Sequence, residues 1–113
     1  ALRDAEGDAT GEVLSTPGRL YMLCVTSFDR LSPRCARRMA RLVEHAAAEG
    51  ARVVCLTPDP LYDVCWHDFG SGEVRCYNID ASTMKTMLRA RNGVVVLDDG
   101  TITDKRNCRD IRP

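Results

Sequence analysis

A capped amphipathic helix between two apolar strand runs is the feature that leaves this chain the fewest choices. Residues 20–26 and 52–57 are nearly continuous in apolar and β-branched side chains, the pattern of strands covered on both faces of a sheet. Between them Ser32 is a good N-cap, Pro33 suits the first helical position, and Gly50 can take the left-handed conformation that ends a helix. Cys35, Met39, Leu42, Val43 and Ala46 recur at helical spacing and mark the buried stripe. Strand, helix and strand in that order predict a right-handed parallel crossover.

The remaining elements are weaker. Residues 4–8 read as a turn, Glu12-Val13-Leu14 as a short strand or helical turn, and residues 61–69 as a helix with Leu61, Val64, Cys65 and Trp66 or Asp68 competing for its inner face. Gly70-Ser71-Gly72 is a turn before a short strand at 74–77, and Asp80-Ala81-Ser82 opens a helix over 83–91. A strand at 94–97 turns through Asp98-Asp99-Gly100 into 101–103 as a hairpin. The sum is β-α-β-α-β-α-β-β: an α/β fold with a central, mixed, mostly parallel sheet, a C-terminal antiparallel hairpin and helices on both faces.

At 113 residues the chain, 1–113, is one domain. Sixteen basic and 16 acidic residues cancel, which argues against a general nucleic-acid or anionic-membrane binder. Arg34, Arg37, Arg38 and Arg41 give the central helix a basic side, which reads as a solvated face. No stretch approaches the ~20 apolar residues of a membrane span, so no direct membrane insertion is expected. The start at Ala1, without an initiator methionine, leads to the expectation of a processed chain or a piece of a longer one.

Six cysteines can pair in fifteen ways. Cys24 and Cys55 lie within apolar strands and are expected to behave as small hydrophobes, whereas Cys65, Cys76 and Cys108 have more polar neighbours and are free to pair in an oxidising compartment. Their spacings lack the Cys/His clusters of a zinc site, and neither a metal nor a cofactor is expected. His45 and His67 are expected at the surface, and no Ser-His-Asp set or phosphate loop is present.

Ser32-Pro33-Arg34-Cys35, at the seam of strand and helix, resembles the redox motif of the thioredoxin-like superfamily with serine in place of the first cysteine. The unit through Thr57 and the closing hairpin resemble that superfamily as well. The resemblance implies a substrate groove formed by Pro33, Arg34 and Asn92, the last standing where thioredoxins carry a cis-proline. Residues 84–100, Met-Lys-Thr-Met-Leu-Arg-Ala-Arg-Asn-Gly-Val-Val-Val-Leu-Asp-Asp-Gly, resemble a segment of the thioredoxin-like tails of DoxX-type bacterial membrane proteins. That likeness implies membrane spans upstream of Ala1. The chain would then be a membrane-associated soluble domain in bacteria whose partner is a protein, with the upstream membrane domain of the same polypeptide as the first candidate.

Without a second cysteine in the motif, a self-contained dithiol cycle cannot run there. The resemblance therefore implies a non-catalytic or weakly redox-active interaction module. The alternative is a thiol-disulfide oxidoreductase or peroxiredoxin-like enzyme in which Cys35 is a single reactive thiol, favoured as thiolate by the helix start and by Arg34 and Arg38, and a second cysteine, in this chain or on a partner, resolves it. The peroxiredoxin comparison matches Ser32 and Cys35, has Phe28 where a proline belongs, and leaves Arg89 as the distant arginine. Against both stands the phase of Cys35, which begins the helix's core stripe.

Overall fold

The computed structural model describes residues 2–4, 7–60 and 65–112. Arg3–Asp4 (β1) and Gly7–Asp8 (β2) form a minimal antiparallel ladder, followed by Thr10–Leu14 (α1). The turn expected at 4–8 falls partly on residues outside those described. Arg19–Val25 (β3) leads through a 3₁₀ turn, Phe28–Arg30, into Pro33–Glu49 (α2), and Arg52–Thr57 (β4) completes the strand-helix-strand unit. Cys65–Asp68 (β5), Glu73–Asn78 (β6), Ala81–Met87 (α3), Asn92–Asp98 (β7) and Thr101–Asn107 (β8) follow, and a 3₁₀ turn at Cys108–Asp110 closes the chain.

One sheet runs in the order β2-β1-β6-β4-β3-β7-β8, with β5 also paired to β6. The expected parallel crossover is present, since β3 pairs β4 and β4 pairs β6 in parallel. The remaining pairings are antiparallel, so "mostly parallel" is corrected to a three-stranded parallel centre with antiparallel flanks. For β5–β6 and β7–β8 the cause lies in the connections: parallel neighbours need a crossover, and the short links at 69–72 and 99–100 permit only hairpins.

Alternate residues of the central strands feed two cores. Tyr21, Leu23 and Val25 face α2 together with Cys55, Val94 and Val96. Leu20, Met22 and Cys24 face α1 and α3 with Val54, Leu56, Val95 and Leu97. Helices therefore cover both faces, as the pattern required. The Ser32 hydroxyl of α2 accepts a hydrogen bond from the Cys35 N–H at 3.1 Å, and Gly50 ends the helix at φ 74°. Cys35, Met39, Leu42 and Ala46 are buried as the stripe predicts, Val43 is half-buried, and Ala40 joins them.

Two expected helices are corrected. Within 61–69, residues 61–64 lie outside those described, and Cys65–Asp68 is a strand antiparallel to β6. Cys65 and His67 point inward while Trp66 and Asp68 stay exposed, a period of two that the helical reading overlooked. Asp68 Oδ1 then accepts from the Gly70 and Gly72 N–H groups at 2.7 and 3.2 Å and fixes the connecting turn. The other helix, expected over 83–91, ends at Met87 because Leu88 turns extended and buries its side chain under the sheet.

The strand expected at 94–97 begins at Asn92. Gly93 is required there: a Cβ would lie 2.2 Å from the Arg106 carbonyl oxygen and 2.9 Å from Leu88 Cδ2. The hairpin beyond it turns at Asp99 and Gly100, both at positive φ, and Asp99 Oδ1 accepts from the Gly18 N–H at 2.7 Å.

Candidate disulfide site

Where β3 hands the chain to α2, the sequence places Ser32, Pro33, Arg34 and Cys35, and the fold adds a residue from the far end of the chain. Cys35 is bonded to Cys108, with Cα atoms 5.7 Å apart and 73 residues between them in sequence. The lone reactive thiol at Cys35 is thereby corrected: its sulfur has a partner. The reason is topological. Strand β8 runs antiparallel beside β7 and delivers the terminal 3₁₀ turn to the first turn of α2, where the Arg38 guanidinium donates to the Cys108 carbonyl at 3.3 Å. Ile111 then buries itself in the α2 core.

Cys35 is 6% exposed and Cys108 is half-buried, so Cys108 is the more open half of the bond. Cys35 therefore both begins the core stripe of α2 and forms one half of the disulfide. Ser32 is placed beside it as the cap of the Cys35 N–H, and Pro33 opens the helix with its side chain exposed.

The disulfide borders a cleft of about 430 Å³. Arg34 and Arg38 enter it from α2, Arg91 and Asn92 from the start of β7, and Asn107 and Arg109 from the end of the chain. No acidic side chain lines it. Asn92 lines the cleft, Pro33 does not, and the Asn92 Oδ1 accepts from the Thr26 N–H at 3.0 Å, tying the end of β3 to β7. Arg89 does not line the cleft, whereas Arg91 does. Cys108 was grouped with Cys65 and Cys76 in sequence, and Arg91 and Arg109 carried no signal at all. Their convergence depends on β7 and β8 being paired.

The other four cysteines are free thiols. Burial pushes the Cys24 thiol up to about 12. Cys55 is raised well above the usual thiol range by its hydrogen bond with Cys76 and by burial, and Cys65 is raised chiefly by burial. Among the described residues no three His, Cys, Asp or Glu side chains converge to hold a metal ion.

His67 is not the surface residue expected. Its ring is half-buried between Phe28 and Phe69, with centroids 4.3 and 4.5 Å away, and burial lowers its pKa. His45 is exposed as expected, 3.7 Å from Glu49.

No protein-family model matches the chain, and no curated protein matches it in sequence. Among solved structures it is similar to a thioredoxin from Wuchereria bancrofti, with a TM-score of 0.53 over 97% of this chain and 83% of that one. The fold is thioredoxin-like. At 12% identity the likeness carries the fold alone. Within this thioredoxin-like frame the disulfide occupies the start of α2, but one of its halves comes from the C-terminal turn.

Proposed function

We propose that this thioredoxin-like domain exchanges disulfides through the pair Cys35 and Cys108. The observation that carries the reading is the position of the bond, at the start of α2 and open to an arginine-lined cleft. In the reduced form, four guanidinium groups near two sulfurs favour thiolate over thiol. An incoming thiolate attacks the more open Cys108 sulfur. The electron pair of the broken bond passes to Cys35, whose place in the first turn of α2 makes it a good leaving thiolate. The missing first cysteine of the motif is thus replaced in space by Cys108.

The test is the reduction potential, measured by equilibrating the protein with thiol/disulfide buffers and counting free thiols. A potential above about −300 mV, with insulin reduction lost in both Cys35→Ser and Cys108→Ser, supports exchange. A lower potential and no turnover would overturn it.

A second reading is favoured by the near-complete burial of Cys35. There the disulfide is a staple, and the Ser32-to-Cys35 face docks a protein partner. The DoxX-type resemblance supports this interaction module and sets it beside membrane spans of the same polypeptide in a bacterium. No described helix is long and apolar enough to cross a membrane, so the spans would lie elsewhere.

A further inference from the structure

Neutrality of the whole chain conceals an uneven distribution of charge. Arg19, Arg52, Arg75 and Arg106 are each paired with a carboxylate, on Asp98, Glu12, Asp4 and Asp104 respectively. Arg34, Arg38, Arg91 and Arg109 come from three separated segments to one cleft, and among the described residues none is within ion-pair distance of a carboxylate. Four like charges around a concave surface repel one another and concentrate positive potential at its mouth. The arrangement is complementary to an anion that the chain does not itself supply. No aromatic side chain lines the cleft to stack a base. Asn92 and Asn107, which also line the cleft, offer amide groups to a peptide backbone.

We infer that the cleft receives an acidic, cysteine-bearing segment of a partner protein, so that carboxylates flanking the partner's cysteine pair with these arginines while its sulfur meets Cys108. The inference rests on the exchange reading and names its substrate class. The first partner thiolate bonds to the Cys108 sulfur as the Cys35–Cys108 bond breaks, leaving the electron pair on Cys35. A second partner thiolate attacks its own sulfur in that mixed disulfide and releases Cys108. Two partner thiols are oxidised to a disulfide, the domain's disulfide is reduced to two thiols, and the two protons end on Cys35 and Cys108 or in water.

The test uses two dithiol peptides of identical length, one with Asp and Glu around its cysteines and one with Lys in their place, beside uncharged dithiothreitol. Second-order rates of opening the native disulfide are followed by quenching and mass spectrometry at low and high salt. The acidic peptide is expected to react about tenfold or more faster than the basic one, with the ratio shrinking at high salt and approaching one in Arg91→Gln/Arg109→Gln. If dithiothreitol opens the disulfide and the two peptides react equally, the acidic-substrate inference is overturned and exchange survives. If dithiothreitol cannot open it in the folded protein, the exchange reading itself has failed.

Discussion

Two groups of cysteines share this small domain, and their surroundings differ more than their sequence neighbourhoods do. In the sheet, Cys55 and Cys65 lie opposite Cys76 on two of the strands that pair with β6, yet all three remain thiols. At the α2 corner, Cys35 and Cys108 are 73 residues apart and bonded. Cys55 is raised by its hydrogen bond with Cys76 and by burial, and Cys65 chiefly by burial, which disfavours their charged forms, whereas Cys76 is lowered by the hydrogen bond from Cys55. The corner pair borders a cleft lined by four arginines, which on the exchange reading favour the thiolate once the bond is reduced. Adjacency on paired strands therefore does not by itself make a disulfide, and the six cysteines divide into four free thiols and one bonded pair.

The widest gap expected from this contrast is in reactivity. With the disulfide reduced in the folded protein at pH 7, maleimide labelling mapped by mass spectrometry should modify Cys108 more than about a thousandfold faster than Cys24. The ratio follows from thiolate fraction, because an ordinary thiol is a few per cent ionised at pH 7 and one pushed up to about 12 is almost wholly protonated. Comparable rates at both sites, without unfolding, would erase the distinction.

The corner should also dominate stability. Closing a loop of this separation stabilises the folded state by about 4 kcal/mol in the chain-entropy picture. Urea unfolding of the oxidised protein against Cys108→Ser should show a loss of that order. A loss below about 1 kcal/mol would mean that the bond constrains the unfolded chain very little. Next comes Gly93→Ala, where the new methyl group meets backbone at 2.2 Å and β7 must shift from β8. A loss of about 2–3 kcal/mol is expected, and because Asn92 and the hairpin carry the cleft, the disulfide's reduction rate should change with it.

The two groups were unequally legible from sequence, for a physical reason. Ser32, Pro33 and Gly50 act within a turn of their own positions, so the ends of α2 were readable. Cys24 and Cys55 were readable as packing groups because strand burial is a local pattern. The pairing of Cys35 with Cys108 depends on β8 being carried past β7 to the start of α2. The cleft depends on three chain segments meeting, which no local pattern encodes. Strand β5 was missed because four residues are too few to separate a period of two from a helical turn, and its identity comes from pairing with β6. The basic side of α2 was visible, but its reading as a solvated face omitted Arg91 and Arg109.

Ser32→Ala sharpens the comparison at smaller scale. It removes the acceptor of the Cys35 N–H and should cost about 1 kcal/mol in urea unfolding, at the typical size for an N-cap. If Ser32 serves only as the cap, Ser32→Asp should restore the stability. If the hydroxyl also takes part in exchange, Ser32→Asp will recover the midpoint while the rate with dithiothreitol stays depressed.

The smallest effect expected comes from another part of the same core, where burial between Phe28 and Phe69 lowers the His67 pKa. A lowered folded-state pKa means that the unfolded chain binds the proton more readily. Stability from this residue is present above the unfolded value of about 6.5 and declines as pH falls from there through the lower folded value. The partial exposure of the ring keeps the loss modest. Unfolding midpoints compared at pH 7.5 and 5.5 for the native protein and His67→Phe should diverge on the acid side, with the variant losing less. Parallel pH profiles would show that the imidazole reaches water in the folded state, and the Phe28–Phe69 cluster would then be looser than the corner stapled by Cys35 and Cys108.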